Sequence, residues 1–448
     1  MSLTLQPDSW EIGILGEISN FIDYRGKTPQ KTTSGIPLIT AKNIRNGFIK
    51  ADPREYISEA DYDSWMTRGI PNYGDIVITT EAPLGNVALL HTREKIALAQ
   101  RAICIQSFNS HMNTYIHYAL RSPAFQKELT SNATGTTVSG IKASTLKKLG
   151  LPIPSLSEQK IIAEKLDTLL AQVDSTKARL EQIPQILKRF RQAVLASVVC
   201  GKLSKNTGQW KTYLLKNICT SISDGDHQAP PKSETGIPFL VISDVNKGNI
   251  DFENVSRWVP ESYYESLKEI RKPFQNDILY TVTGSYGIPV IVNTTKPFCF
   301  QRHIAIIKPN SSLIDYKFLA FYLESPQIFK HASDVATGTA QKTVSLSSLR
   351  NFELSVPSLE EQHEIVRQVE QLFAWADTIE KQVNSALTRV NSLTQSILAK
   401  AFRGELTAQW RAENPDLISG ENSAAALLEK IKAERAASGG KKASRKKA

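Results

Sequence analysis

Apolar residues recur at alternating steps of four and three positions along two long stretches of the chain. The stretches cover residues 151–203 and 354–406, and they align with each other without a gap, 203 residues apart. This spacing predicts a long helix with a narrow apolar seam, as in a coiled coil. The seam positions are Ile162, Leu166, Leu169, Val173, Leu180 and Leu187 in the first stretch, and Ile365, Val369, Leu372, Ile379, Val383 and Val390 in the second.

A capping-box sequence, S-x-x-E, stands near the start of each stretch. It runs from Ser155 to Glu158 in the first stretch and from Ser358 to Glu361 in the second. In this box the serine oxygen and the glutamate carboxylate each accept a hydrogen bond from a backbone N–H of the first turn. We therefore expect both helices to begin there.

The sequence also indicates where the helices end and where one of them is irregular. Gly201 and Gly404 are of the residue type that most often ends a helix. Each helix then has about 43 residues and a length of roughly 65 Å. Pro184 lies inside the first helix and predicts a kink, whereas Leu387 stands at that place in the second.

The simplest packing places the two seams against each other, antiparallel and related by a pseudo-two-fold axis. The alternative is that both helices are ordinary core helices of a globular protein. Because core helices usually carry a wider apolar stripe and are shorter, we favour the coiled coil.

The segments before the helices mix short β-rich runs, turns and short helices, which predicts two α+β domains. The clearest strands are 75–79, 102–105 and 304–307, and the clearest helices are 113–122 and 315–324. The predicted division is a first globular domain, 1–150; a central helical spacer, 151–203; a second globular domain, 204–353; a second helical spacer, 354–406; a C-terminal helical segment, 407–437; and a disordered basic tail, 438–448.

The two globular segments are related in sequence, more loosely than the helices. The matching pieces are 35–47 with 236–248, Gln100-Arg101 with Gln301-Arg302, and the Ala-Thr-Gly-Thr sequence at 133–136 and 336–339. Tryptophans at positions 10, 210 and 410 mark the same point in successive units. The chain is therefore two copies of one unit and a fragment of a third. Different loops on a common scaffold predict two modules that recognise different targets.

Composition narrows the class of protein. Of the 448 residues 41% are hydrophobic and 22% are charged, as in an ordinary globular protein. Half of the formal net charge of +10 lies in the Lys-rich tail, so the body is only mildly basic and nucleic acid is a reasonable partner. No apolar run approaches the ~18 residues of a membrane span. The four scattered cysteines favour a reducing cytoplasm over a disulfide framework.

Motifs that carry catalysis are missing from the sequence. There is no phosphate-binding loop, no dinucleotide-binding glycine motif and no H-E-x-x-H zinc motif. The seven histidines are scattered without the spacing of metal ligands. We therefore predict a non-catalytic binding protein without a metal site.

Candidate DNA contacts are the cationic, amide and hydroxyl side chains of the loops. Arginine and asparagine pair with guanine and adenine edges, whereas lysine more often holds phosphate. The candidates are Arg25, Lys27, Lys42, Asn43, Arg45, Asn46, Arg101, Thr134, Thr136 and Lys142 in the first copy, and Lys232, Asn246, Lys247, Arg302, Thr337, Thr339 and Lys342 in the second. The alternatives are that the loop cations are ordinary surface residues and that the Gln-Arg pairs belong to the framework.

With these features the chain resembles the DNA-specificity subunits of type I restriction-modification systems. The resemblance covers the whole chain and rests on the two diverged domains, each followed by a long helix that begins at P-x-x-x-E-Q. These helix starts are residues 154–159 and 357–362. The central helix and the C-terminal stretch are similar to the enteric type IA, or K-type, branch.

The resemblance implies that each globular domain is a target-recognition domain that reads one half of an asymmetric, interrupted double-stranded DNA site. The helices would dock two modification (methyltransferase) subunits, and restriction subunits would join the complex. S-adenosylmethionine, ATP and magnesium would belong to those partners, with no cofactor on this chain. The family's circular organisation would account for the incomplete third unit.

Two rival functions remain open on the sequence. One is a self-sufficient nuclease or methyltransferase, which the missing motifs disfavour. The other is a coiled-coil scaffold that binds only protein, without sequence-specific DNA reading.

Overall fold

The computed structural model describes residues 6–24, 28–135, 138–204, 210–225, 230–245 and 247–444, with side chains described as far as 437. The chain forms two compact units. Unit 1 consists of Met1–Leu180 with Ala386–Ala448, and unit 2 is Glu181–Ser385. Each unit contains one globular copy and half of each long helix.

Unit 1 is built on three small sheets. Its strands are β1 (Glu11–Ile14), β2 (Ser19–Asp23), β3 (Ile36–Ile39), β4 (Tyr56–Ile57), β5 (Ile76–Thr80), β6 (Leu84–Leu89), β7 (Ala97–Leu98), β8 (Ala102–Ser107) and β9 (Gly150–Ile153). Its short helices are α1 (Leu15–Ile18), α2 (Glu59–Trp65), α3 (Asn113–Arg121), α4 (Pro123–Ser131) and α5 (Ala143–Leu146). The central sheet is antiparallel in the order β2-β8-β5-β6, and it is accompanied by the sheets β4-β3-β7 and β1-β9.

The central sheet of unit 1 is covered on both faces. Ile76 and Ile78 of β5 enter one core with α3 and α4, while Val77 between them enters a second core with β3, β4 and α2. Successive side chains of a strand point to opposite faces, so both faces of β5 are apolar. For this reason the sequences of β5 and β8 are continuous apolar runs. Both strands lie where the sequence predicts them.

Unit 2 repeats this architecture. Its strands are β10 (Lys211–Leu214), β11 (Cys219–Asp224), β12 (Ile237–Leu240), β13 (Trp258–Val259), β14 (Ile278–Thr281), β15 (Pro289–Ile291), β16 (Cys299–Phe300), β17 (Ile304–Pro309) and β18 (Glu353–Val356). Its short helices are α7 (Glu261–Ser266), α8 (Tyr316–Glu324), α9 (Pro326–Val335) and α10 (Leu346–Arg350). The sheet orders β11-β17-β14-β15, β13-β12-β16 and β10-β18 match those of unit 1 strand for strand. The predicted duplication is therefore confirmed at the level of topology.

Two long helices of 44 residues each follow the globular copies, as predicted. They are α6 (Leu156–Val199) and α11 (Leu359–Phe402). Gly201 and Gly404 adopt positive φ angles of 64° and 77° just beyond their ends, a conformation that costs glycine little. Helix α6 runs through Pro184 without interruption.

The two long helices are antiparallel in each unit. In unit 1, Ile162 near the start of α6 shares a core with Leu398 and Phe402 at the end of α11. In unit 2, Val198 at the end of α6 shares a core with Ile365 near the start of α11. The antiparallel arrangement expected from the two seams is thus present.

Burial follows the seam, with local departures. The buried seam positions are Ile162, Leu166, Val173, Leu187, Ile365, Val369, Val383 and Val390, and the half-buried ones are Leu169, Leu180, Leu372 and Ile379. Near the helix ends the apolar stripe widens, because Leu170 and Val366 are also buried there against the globular cores. The helices combine a narrow seam in the middle with core-type packing at the ends.

The capping box forms only in part. Ser155 Oγ accepts the backbone N–H of Glu158, as expected. The Glu158 carboxylate, however, accepts hydrogen bonds from Trp10 Nε1 at 3.0 Å and from Thr407 Oγ1 at 2.6 Å, and pairs with Arg411 at 2.6 Å. It therefore joins the start of α6 to two distant segments of unit 1, one with Trp10 and one with Thr407 and Arg411, instead of closing its own helix turn.

The same arrangement recurs in unit 2 with one change. Glu361 accepts hydrogen bonds from Ser204 and from Trp210 Nε1. Ser204 is the repeat counterpart of Thr407, so the segment after α11 serves unit 1 as the segment after α6 serves unit 2. Arg411 follows Trp410 as Lys211 follows Trp210, so the corresponding residue in unit 2 is Lys211, which lies exposed at the start of β10.

The C-terminal segment belongs to unit 1. It contains α12 (Ala408–Glu413) and α13 (Ala424–Ser444). Leu427, Leu428 and Ile431 of α13 pack into the core of the first globular copy. The sequence predicts disorder from residue 438, but the helix continues to Ser444.

Candidate nucleic-acid interface

The segment between β3 and β4 carries the first set of candidate side chains. Lys42 is exposed and lies 3.7 Å from a Glu55 carboxylate oxygen. Arg45 is half-buried and donates from Nη1 to the carbonyl of Ile44 at 3.3 Å. Asn46 is exposed and accepts a hydrogen bond from Arg121 Nε at 2.9 Å. These three side chains remain at the surface of one turn.

Asn43 has a different role from the one expected. It is buried, its Oδ1 accepts from the backbone N–H and the hydroxyl of Thr40, and its Nδ2 donates to the carbonyls of Lys50 and Pro53. Its amide is therefore used to fold the turn, and reaching a base edge would break four hydrogen bonds. The counterpart in unit 2, Asp244, likewise accepts a backbone N–H, from Val241 at 2.8 Å. The Asn43 side chain therefore holds the turn and is not available to a base edge.

Arg121 of α3 packs against this turn and supports it. Its guanidinium lies against Gly47, where an added Cβ would come within 2.8 Å of Nη2. Its Nη1 is 3.1 Å from His117 Nε2. Burial, with the nearby charges of Arg121 and His91, lowers the pKa of His117 to about 3. His117 is thus neutral at physiological pH and accepts the guanidinium N–H at Nε2.

A second group of candidates meets in a pocket of about 260 Å³ at the end of β5. Arg101, Thr134 and Lys142 all line it, although they are up to 41 positions apart in the sequence. Thr80 and Glu81 also line it, where β5 ends. The structure therefore brings together three of the candidates chosen from repeated motifs.

Arg101 is the best-defined cation in this pocket. Its Nε lies 2.9 Å from Glu81 Oε1, and both side chains are about half exposed. Its backbone adopts φ 72°, a conformation that few residues other than glycine take up. Its carbonyl accepts the N–H of Thr80. The backbone of Arg101 thus belongs to the framework, as the alternative reading of the Gln-Arg pair expects. Its guanidinium, however, remains at the surface.

The Ala-Thr-Gly sequences at 133–135 and 336–338 are followed by the same backbone pairing in both units. Thr134 and Gly140 exchange backbone hydrogen bonds, and Thr337 and Thr343 do so in unit 2. Glycine is required in the middle of each loop. An added Cβ at Gly135 would lie 2.3 Å from a carbonyl oxygen, and φ there is 117°. The loop is thus a repeated framework element beside the strand end.

The candidates of unit 2 are spread more widely. Those that the structure describes all lie exposed: Lys232, Lys247, Arg302, Thr337, Thr339 and Lys342. Lys142 and Lys342 are not equivalent, because Lys142 precedes α5 whereas Lys342 lies within the loop and its carbonyl accepts from Gly284. Four candidates, Arg25, Lys27, Thr136 and Asn246, lie outside the described residues.

Sequence reasoning missed two residues that shape these sites. Glu81 is acidic, whereas the sequence candidates are cationic, amide and hydroxyl side chains. Arg121 lies on a helix, 75 positions from Asn46 in the turn that it supports. Their partners are distant in sequence, so no local pattern marks them. Self-comparison gives one signal: Thr283 and Glu324 replace Glu81 and Arg121 in the second copy.

Other kinds of site find no support in the part of the chain that the structure describes. No group of three or more histidine, cysteine or acidic side chains there is placed to hold a metal ion. Among the described helices, none combines the length and apolar character that crossing a membrane requires.

Fold and site together define a class: a duplicated recognition protein, in which each α+β domain is followed by one long helix of an antiparallel pair. The family model for the type I restriction modification DNA specificity domain matches residues 7–185 and 208–389. The chain belongs to this family of specificity subunits.

Known proteins resemble the chain over its whole length. It is 42% identical to the type I restriction enzyme EcoKI specificity subunit of Escherichia coli strain K12, with 100% of both chains covered. It is 43% identical to the EcoBI specificity subunit of Escherichia coli, over 98% of this chain and 95% of that one. Identity to the StySPI specificity subunit of Salmonella potsdam is 41%, over 99% of each.

Solved structures share the fold at lower identity. The specificity subunit from Thermoanaerobacter tengcongensis superposes with a TM-score of 0.62 at 21% identity, covering 89% of this chain and 98% of that one. A chain from a type I restriction-modification assembly gives a TM-score of 0.63, also at 21% identity, over 89% and 99% of the two chains.

Proposed function

We propose that this chain is the sequence-specific DNA-binding subunit of a type I restriction-modification complex. It directs adenine methylation, or ATP-dependent restriction, to a bipartite and asymmetric DNA site. The chain itself supplies recognition, and catalysis belongs to its partner subunits.

The observation that carries the proposal is the strand-for-strand repetition of one α+β domain with different side chains at equivalent positions. Glu81 and Arg121 in unit 1 correspond to Thr283 and Glu324 in unit 2. Two modules with one scaffold and different surface chemistry are suited to two different half-sites. Membership of the specificity-subunit family supports the same reading.

The proposed DNA contacts are the candidate side chains that remain accessible. In unit 1 these are Lys42, Arg45, Asn46, Arg101, Thr134 and Lys142, and in unit 2 Lys232, Lys247, Arg302, Thr337, Thr339 and Lys342. Lysines would hold phosphate groups and fix the register, while arginine and asparagine would read base edges. Arg25, Lys27, Thr136 and Asn246 remain candidates on sequence alone.

The proposed partners are two modification subunits and the restriction subunits. The repeated helices offer two related docking surfaces, one for each half of the duplicated chain, which fits two copies of a modification subunit. The enzyme names of the relatives, each a subunit of a type I restriction enzyme, support assembly into such a complex. S-adenosylmethionine, ATP and magnesium would be bound by these partners.

The experiment is a genome-wide map of methylated adenine in cells that express the partner modification subunit, with and without this chain. We expect one interrupted, asymmetric motif that is present only when the chain is expressed. If the complex assembles and no new motif arises, the chain is a scaffold and the proposal is wrong. A purified chain that methylates or cleaves DNA alone would also contradict it.

A further inference from the structure

The pocket at the end of β5 holds a donor and an acceptor side by side. Arg101 Nε is paired with Glu81 Oε1, so the remaining guanidinium N–H groups and Glu81 Oε2 stay available at the pocket mouth. Such exposed ion pairs add little to stability. The fold therefore does not depend on this pair, and both side chains are accessible to a ligand.

Three contacts fix the position of this pair. Thr80 N–H donates to the carbonyl of Arg101, which has φ 72°. An added Cβ at Gly140 would lie 3.3 Å from Glu81 Cβ, so the loop backbone packs directly against the glutamate. Ile141 N–H donates to the carbonyl of Thr80 and ties that loop to the strand end. Both charged side chains thus start from a well-defined strand end.

Within the Arg101–Glu81 pair, the carboxylate distinguishes between the two parts of DNA that an arginine can bind. A phosphate at Arg101 would also lie close to the Glu81 carboxylate, and like charges at short range repel. A base edge carries no net charge. Arginine donates to O6 and N7 of guanine in the major groove, and glutamate accepts from the N4 amino group of cytosine. The pair therefore matches a G·C base pair.

The second copy lacks this arrangement. Thr283 stands in place of Glu81, and Arg302 makes no ion pair with any residue that the structure describes. A lone arginine of this kind accommodates either a phosphate or a guanine. The donor–acceptor pair is therefore specific to unit 1.

We propose that the Arg101–Glu81 pair reads a G·C base pair in the half-site recognised by unit 1. Arg101 contacts the guanine edge, and Glu81 orients the guanidinium and accepts from the cytosine. This inference rests on the proposed function and adds a specificity-determining pair to it.

The test compares adenine-methylation motifs of the wild type with those of Glu81→Gln, Glu81→Thr and Arg101→Lys in the complete complex. Glu81→Thr installs the residue that the same fold carries in unit 2. The matched control is Glu405→Gln, because Glu405 forms an equally exposed ion pair with Arg403 elsewhere in unit 1. Oligonucleotides that differ at single positions of the motif measure the same preference in binding, with co-purification of the modification subunit as the check on folding.

The wild-type motif should contain a G·C pair in the half-site of unit 1. Each Glu81 variant and Arg101→Lys should reduce the preference at that one position at least about fivefold, with the other half-site and the control unchanged. Equal loss of binding to all sequences would show a phosphate contact and overturn the inference. So would a half-site without a G·C pair, or variants with unaltered preference. If the wild type directs no motif at all, the proposed function fails with it.

Discussion

Asn43 and Arg101 are both candidate base contacts on the sequence, and their burial separates them. Asn43 is 3% exposed and makes four hydrogen bonds inside its turn, whereas the Arg101 side chain is 51% exposed at a pocket mouth. Residue type alone cannot make this distinction, because asparagine is common both in contacts to base edges and in turns. The partners of each residue decide its role.

Asn43→Ala should lower the free energy of unfolding by about 1–3 kcal/mol, because Thr40 N–H and two backbone carbonyls lose their buried partner. Asn46→Ala is the control, since Asn46 lies exposed in the same turn. It should change stability by no more than about 0.5 kcal/mol. Urea denaturation of the two variants measures both values, and equal effects would show that Asn43 does not hold the turn.

His117 should make stability depend on pH. The unfolded chain takes up a proton near pH 6.5, whereas the folded chain takes it up only near pH 3. Between these values the unfolded state binds more protons, so stability is fully present above about pH 6.5 and falls as the pH drops. Between pH 7.5 and 5.5 this loss is about 1 kcal/mol.

His117→Ala, which installs the residue found in the second copy at Ala320, tests that dependence. The wild type should lose about 1 kcal/mol more than the variant between pH 7.5 and 5.5 in denaturation experiments. Arg121 and His91 face the imidazole, and both are retained in the variant. Parallel pH profiles of the two proteins would show that His117 is not held neutral by the fold.

At the scale of elements, the sequence predicts helices and strands well and their long-range contacts poorly. The starts and ends of α6 and α11 follow from the 4–3 spacing and the flanking serine and glycine, all of which are local. The role of Glu158 does not follow in this way. Its partners Trp10 and Arg411 lie 148 and 253 positions away, so the capping box is only half formed. Local patterns cannot predict a bond that depends on the whole unit.

Arg411→Ala should lower the stability of unit 1 by about 3–5 kcal/mol, because it leaves the fully buried Glu158 carboxylate without its cation. Arg403→Ala is the control, since Arg403 forms only an exposed ion pair with Glu405. It should cost no more than about 1 kcal/mol. Hydrogen exchange of amides in β1 and α1 reports on unit 1 directly. Equal protection in the two variants would show that the Glu158–Arg411 ion pair does not stabilise unit 1.

Pro184→Leu should stabilise unit 2, because it restores a backbone N–H inside α6 and installs the counterpart residue of α11, Leu387. The gain should reach up to about 3 kcal/mol, the cost of proline in a helix interior. Thermal unfolding measures it. A loss of stability would mean that the surroundings of Pro184 are adapted to its ring.

At the scale of the whole molecule, duplication explains more of the chain than any single motif. It accounts for the matching sheet orders, the paired helices and the incomplete third unit, whose Thr407 serves unit 1 as Ser204 serves unit 2. It also predicts that the two recognition modules act independently on DNA. The sequence could not show which loops face DNA, since the scaffold is common to both copies and the differences are confined to side chains.

The most direct test of this account is to replace residues 1–150 with the first domain of another family member and to map methylated adenine in cells with the partner modification subunit. The account predicts that one half of the motif changes, while the other half and the length of the gap between them stay the same. A change in both halves, with the complex still assembled, would contradict the modular reading.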